Sequence, residues 1–127
     1  MAKVKKDDAP TGLTARLNPR QQLLQTAMNI TSADRNKAYG DPENNFRNIA
    51  VYWSQHLSAS TGLEIVLSPS DVASMMMLMK LARLSTNPTH YDSILDVAGY
   101  AACAADCIAA EQNKNRGAME AGNSISR

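Results

Sequence analysis

Ser68–Ala110 reads SPSDVASMMMLMKLARLSTNPTHYDSILDVAGYAACAADCIAA, and the fold turns on it. Ser68, Pro69 and Asp71 make a helix start: a capping oxygen, a proline at the first helical position and an acid three residues on. Val72, Met75, Met76, Met79 and Ala82 follow at helical spacing and predict an inward face, with Lys80 and Arg83 flanking it. Asn87-Pro88 forces a turn. Thr89, with Asp92 three later, predicts the next cap. Ile94, Leu95, Val97, Ala98, Ala101, Ala102, Ala105, Ile108 and Ala109 then give a helix that is apolar on more than one side. Such a helix is central, or is buried again in an oligomer. Gly99 in its middle costs about 1 kcal/mol against alanine and predicts that another backbone comes close there.

Working outward, two more helix starts appear. Asn18-Pro19 opens a helix with Leu23, Leu24, Ala27, Met28 and Ile30 on one stripe, predicted to run on through Asp34 and Arg35 to Gly40. Asp41-Pro42, with Glu43 in the first turn, opens another. There Phe46, Ile49, Ala50, Trp53 and Leu57 recur at three-four spacing, and Gly62 ends the run. Leu63–Leu67 is short and apolar. A lone strand has no partner here, so an extended connector packed over the core is expected. Residues 1–17 and 112–127 show no periodicity and are read as mobile tails. The expectation is an all-α, four-helix bundle-like single domain over 18–111, oligomeric through its apolar faces.

Composition agrees. The 127 residues suffice for one domain. Aromatics make up only 5% of the chain, while alanine and methionine are plentiful, which favours helices over strands. A net charge of +1 supplies no field toward nucleic acid or an anionic membrane, so neither is an expected partner. No secretory segment and no apolar run of about 18 residues is evident, which predicts a soluble, intracellular protein. Cys103 and Cys107 lie four apart without the further ligands a zinc site needs, so they are read as reduced packing residues.

The concentrated chemistry is two cations, Lys80 and Arg83, followed across the turn by two acids, Asp92 and Asp96. Lysine and arginine suit a phosphate; two carboxylates one turn apart suit magnesium. The alternatives are a capping role for Asp92, a salt bridge from Asp96 to Lys80 or Arg83, and cations lying along an apolar edge. Arg35, Lys37 and Tyr39 cluster before the Gly-Asp-Pro turn, where helix amides favour an anion and the tyrosine could stack on a base. His90, just ahead of Tyr91 and Asp92, is the histidine with the better claim to a site. No Ser-His-Asp order, CxxC pair or phosphate-loop pattern is present.

AYGDPENNF, MKLARL and NPTHYDSILDVAGYAA, in this order, resemble a family of small, mostly uncharacterised phage and prophage proteins over roughly Asp34 to Ala105. More distantly, YG, KLxR and DxxxDxxxY are similar to the phage nucleotide-modification-associated domain, and through it to the MazG-like all-α nucleotide pyrophosphohydrolases. By position, Tyr39 and Gly40 stand in YG, Lys80 and Arg83 in KLxR, and Asp92, Asp96 and Tyr100 in DxxxDxxxY. The resemblance implies an oligomerising helical bundle with a nucleotide pocket between helices or subunits, in the cytoplasm of a bacterial host cell.

One departure shapes the expectation. The active pyrophosphohydrolases carry an ExxE pair on the preceding helix, where this chain has Asp71 and then Lys80 and Arg83. Cations hold phosphates but cannot replace carboxylates around magnesium. The expectation is therefore a phage accessory protein that binds a nucleotide or nucleotide-derived signal without an obligatory cofactor. Arg35, Lys37, Tyr39, Lys80, Arg83, His90, Tyr91, Asp92 and Asp96 are its candidate ligand residues. The alternatives are a magnesium-dependent pyrophosphohydrolase, its metal on Asp92 and Asp96 with a further acid from Glu43 or another subunit, and a helical protein-protein adaptor.

Overall fold

A computed structural model describes residues 16–32 and 41–124. Four helices follow one another: α1 (Pro19–Ile30), α2 (Pro42–Thr61), α3 (Pro69–Thr86) and α4 (Tyr91–Ser124). No strand occurs among the described residues, so the chain is all-α, a helical bundle as its periodicity predicts.

Three of the four starts follow the sequence signals. Asn18 accepts from Gln21 N–H at 3.0 Å while Gln21 returns a bond to Asn18 N–H. Ser68 and Asp71 make the same reciprocal box for α3. Asp41 takes the position before α2 but makes no side-chain cap bond; its carbonyl accepts from Asn45 N–H. The fourth start differs from expectation. His90, not Thr89, caps α4: its carbonyl accepts from the Ser93 and Ile94 amides, and its ring Nδ1 accepts from Ser93 N–H at 3.3 Å. The Asn87-Pro88 turn, closed by His90 N–H on the Asn87 carbonyl, carries the chain one residue further before the helix begins.

α3 and α4 form an antiparallel hairpin, fixed at one end by Ser70 with Glu111 and at the other by Lys80 with Asp96. Glu111 accepts from the Ser70 amide at 3.2 Å and the Ser70 hydroxyl at 3.0 Å, which sets a carboxylate against the positive end of α3. The first half of α2 lies across this hairpin. Phe46, Ala50, Val72, Ala73 and Cys107 are its buried centre, with Ile49, Trp53, Leu67, Met76, Tyr100, Cys103 and Ala104 packed around them. α1 lies against the other end of α4, where Ile30 faces Gly99.

Several details depart from the sequence reading. The inward face of α3 is turned toward Val72, Ala73, Met76 and Lys80; Met79 is 50% exposed and Ala82 is exposed. The Lys80–Asp96 ion pair requires that rotation. On α1, Ala27 is buried while Leu24 and Met28 are exposed, because only one flank of the stripe meets α4. The neighbour at Gly99 is a side chain, Ile30 Cδ1, 3.6 Å from where a Cβ would stand, and not a backbone. α1 ends at Ile30; its expected continuation through Asp34 and Arg35 to Gly40 lies outside the described residues, as does the N-terminal arm up to residue 15.

At the other end, residues 112–124, read as a tail, continue α4 without a break. An established helix adds each further residue cheaply, and alanine, lysine, glutamate and methionine favour that state without packing. α4 also has a mean hydropathy of 1.4 over 18 residues, so it is long and apolar enough to cross a membrane by length and composition, contrary to expectation. Asp96 and the exposed Asp106 interrupt its apolar part. A carboxylate at a bilayer centre costs about 2.5–3.5 kcal/mol, and this helix packs along α3 instead.

Gly62 ends α2 in the left-handed region at φ 71°, where a side chain would be strained. The chain then runs back along α2 as an extended connector. Ile65 and Leu67 turn inward while Glu64 and Val66 stay exposed.

Candidate functional site

The paired charges predicted from spacing meet in part. Lys80 Nζ lies 2.7 Å from Asp96 Oδ2, with side chains 13% and 28% exposed. The bond spans the α3–α4 hairpin and holds the ammonium in place, largely withdrawn from water. Arg83, one turn on in the last turn of α3, is exposed and has no ion-pair partner among the described residues. Its charge suits the negative end of that helix. Tyr91 and Asp92 open α4 and are both exposed. His90 is occupied by its capping role, its Nδ1 2.8 Å from Ser93 Oγ.

Beside the Lys80–Asp96 pair is a cleft of about 160 Å³ where the end of α1 meets α4, lined by Ile30, Thr31, Asp96, Gly99, Tyr100 and Cys103. Gly99 keeps this cleft open, since nothing projects from α4 there toward Ile30. Tyr100 leans its ring on Phe46, centroids 6.2 Å apart, which ties the cleft wall to the core. Ligand pockets for organic molecules usually enclose about 300–1,000 Å³. The cleft therefore has room for one polar group and not for a whole nucleotide.

The magnesium reading finds no support in the donor set. Among the described residues no three His, Cys, Asp or Glu side chains gather to hold an ion. Asp96 is engaged by a cation and Asp92 stands apart on the surface. Glu43 does not supply the missing acid within this chain. It bonds Arg47 at 2.7 Å and approaches Lys114 at 3.9 Å. Lys114 is 18 residues beyond Asp96 on α4, roughly 27 Å along the axis. The residues present do not fit a magnesium centre.

Arg35, Lys37 and Tyr39 lie outside the described residues. Cys103 and Cys107 are free thiols packed in the core, as expected of apolar side chains. Burial pushes the Cys103 thiol up first, with Asp106 acting the same way. Burial likewise raises Cys107 from 9.0 to about 11, helped by Cys103, Glu111, Glu43 and Asp106. Thiols held protonated in this way are poor nucleophiles and poor metal ligands.

A larger cleft, about 620 Å³, escaped the sequence reading. It lies between α2 and the connector, lined among others by Arg47, Val51, Ser54, Leu63, Glu64 and Val66. Its only signal in the sequence was the pairing of serines at 54 and 58 with an apolar segment just past the helix end.

The structure thus defines an all-α domain with a half-buried ion pair opening on a small cleft. Residues 22–108 match the family described as Domain of unknown function (DUF6378), and the chain belongs to that family. It is 41% identical over 83 residues to the Gene 55 protein of Mycobacterium phage D29, a match covering 65% of this chain and 51% of that protein. It is 40% identical over 79 residues to the Gene 55 protein of Mycobacterium phage L5, covering 62% and 47%. The matched segment thus spans about half the length of these curated relatives. No solved structure matches the chain. The phage resemblance read from the sequence is borne out at the level of this family, and Lys80, Asp96, Gly99 and Tyr100 all fall within the matched region.

Proposed function

We propose that this domain binds a nucleotide or nucleotide-derived signal for a phage accessory protein, around the junction of α1, α3 and α4. The observation that carries the reading is the half-buried Lys80–Asp96 pair opening on the Gly99 cleft, with the uncommitted Arg83 guanidinium one turn away. Asp96 orients Lys80, whose remaining donors and the forked donors of Arg83 meet phosphate. A ribose-like hydroxyl enters the small cleft and donates to Asp96, while Thr31 Oγ1, whose own proton goes to the Ala27 carbonyl, offers a second acceptor.

The test is a thermal-shift screen with nucleoside mono- and triphosphates, dinucleotides and cyclic nucleotides, with and without magnesium. The expected result is a rise in Tm that needs no magnesium, with the ligand recovered intact. Arg83→Ala abolishes that rise while lowering the unliganded Tm by no more than a few degrees, because the exposed side chain has no ion-pair partner among the described residues and gives up only its favourable place at the helix end. A rise that needs magnesium and yields product would transfer the site to the pyrophosphohydrolase reading. No rise with any nucleotide would sink the proposal. It would leave the adaptor reading, which the exposed Leu78, Met79 and Leu81 on α3 favour.

A further inference from the structure

The connector is extended backbone with one edge used. Ile65 N–H donates to Ser58 Oγ at 2.9 Å, and Ser58 Oγ donates to the Ile65 carbonyl at 3.2 Å. Leu67 N–H donates to Ser54 Oγ at 2.8 Å. The two serines, one helical turn apart, thus act as a neighbouring strand. In extended backbone, alternate residues present their N–H and C=O groups to opposite edges. The groups on the other edge, those of Glu64 and Val66, have no partner among the described residues.

Edge strands are ordinarily blunted by charges, proline or a covering element. This one keeps a single charge, Glu64, and exposes Leu63 at 66% and Val66 at 78%. Both line the larger cleft together with Val51, itself 54% exposed.

We propose that this open edge is a self-association surface: the Leu63–Leu67 segment pairs with the same segment of a second copy as a two-fold antiparallel ribbon. Two features select a second copy over another occupant. The first is register. With the axis at Ile65, Glu64 stands opposite Val66 of the second copy, and Val66 opposite its Glu64. Each such pair exchanges both of its N–H···O bonds, so every free backbone group on residues 64 and 66 is used. The second is charge. The cleft has Arg47, whose Nη2 already bonds Glu43 while the rest of its fork faces outward for a second carboxylate, toward the start of α2 and Glu64 toward its end. Antiparallel pairing reverses the direction of the second copy, carrying its Glu64 toward Arg47. Parallel pairing would set the two glutamates side by side. The contact is isologous, so it closes at two copies and does not propagate. A ribbon this short buries little area, which sets it among weak, reversible associations.

The association is independent of what the Lys80 site binds and is tested without any nucleotide. Light scattering over a concentration series of the full chain gives a monomer-to-dimer rise in mass. Val66→Pro abolishes it, because the proline removes a donor that the subunit itself does not use, in a segment already extended. Val66→Thr, which keeps the donor and the shape, retains it. Hydrogen exchange on the unmodified protein guards against a misfolded proline variant. The Glu64 and Val66 amides slow at least tenfold from dilute to concentrated protein, while those of Ile65 and Leu67 are protected at every concentration. A protein that stays monomeric at high concentration overturns the proposal. So does a dimer whose Glu64 and Val66 amides exchange freely, since that dimer uses another surface.

Discussion

Cys107 is the residue whose setting makes the sharpest prediction about pH. Its thiol is fully buried among Phe46, Ala50, Val72 and Ala73, and it keeps its proton to about 11. In the unfolded chain the same thiol ionises near 9.0. Between those values the folded state binds more protons than the unfolded one, so stability must fall as pH rises. The contribution is whole below about 9 and lost once pH passes about 11, an expected drop of roughly 2–3 kcal/mol. Cys103, raised for the same reason, adds to it. Urea unfolding across this range should show the decline, and Cys107→Ala should remove most of the slope. Parallel curves for the two proteins would mean that the thiol ionises alike in both states. Lys80 illustrates the other residue-scale lesson. Its spacing placed it beside an acid-bearing helix, but only the turn of α3 about its axis determined that Asp96 receives it.

At the scale of elements, α4 is where local pattern and tertiary role diverge. Its first two-thirds are held by contacts with α3 and α1; residues 112–124 are exposed throughout and stay helical by propensity. Gly117 and Gly122 lie in that outer part with open space where a Cβ would stand. Each glycine costs about 1 kcal/mol against alanine in a helix. Gly117→Ala with Gly122→Ala should therefore raise helical ellipticity and slow amide exchange over the last turns, while the cooperative Tm barely moves. A rise of several degrees in Tm would show that the outer turns belong to the cooperative unit. The starts of α1, α2 and α3 and the stops of α2 and α3 were legible because Asn18, Ser68, Gly62 and the prolines act through bonds made within one turn. The end of α4 was not, since nothing polar forbids a helix that composition merely fails to demand. The site was half legible for the same reason. Residue types and spacing singled out Lys80, Arg83 and Asp96, together with Asp92, which stands apart from them. The separation of Glu43 from Asp96 along α4, and the Gly99 cleft at the α1 end, depend on how helices cross.

At the scale of the molecule, a small core carries a long frame. The buried centre is one cluster at the crossing of α2, α3 and α4, from which the far half of α2 and the outer part of α4 extend. Leu24, Met28, Tyr52, Leu63, Val66, Leu78 and Met119, spread over all four helices and the connector, are each more than 60% exposed. That distribution says which parts can be removed. A chain ending at Gln112 loses exposed turns, the polar interaction of Asn123 and the 3.9 Å approach of Lys114 to Glu43, a surface pair worth less than about 1 kcal/mol. It keeps Glu111, which anchors the start of α3 through Ser70. The expected outcome is an unfolding free energy within about 1 kcal/mol of the full chain, with helicity reduced only by the deleted turns. A further cut that takes Glu111 should behave differently, because the Ser70 amide and hydroxyl lose a charged acceptor at a half-buried helix end, a loss of about 1.5–3 kcal/mol. If the first truncation already costs as much as the second, the outer turns of α4 are packed in solution.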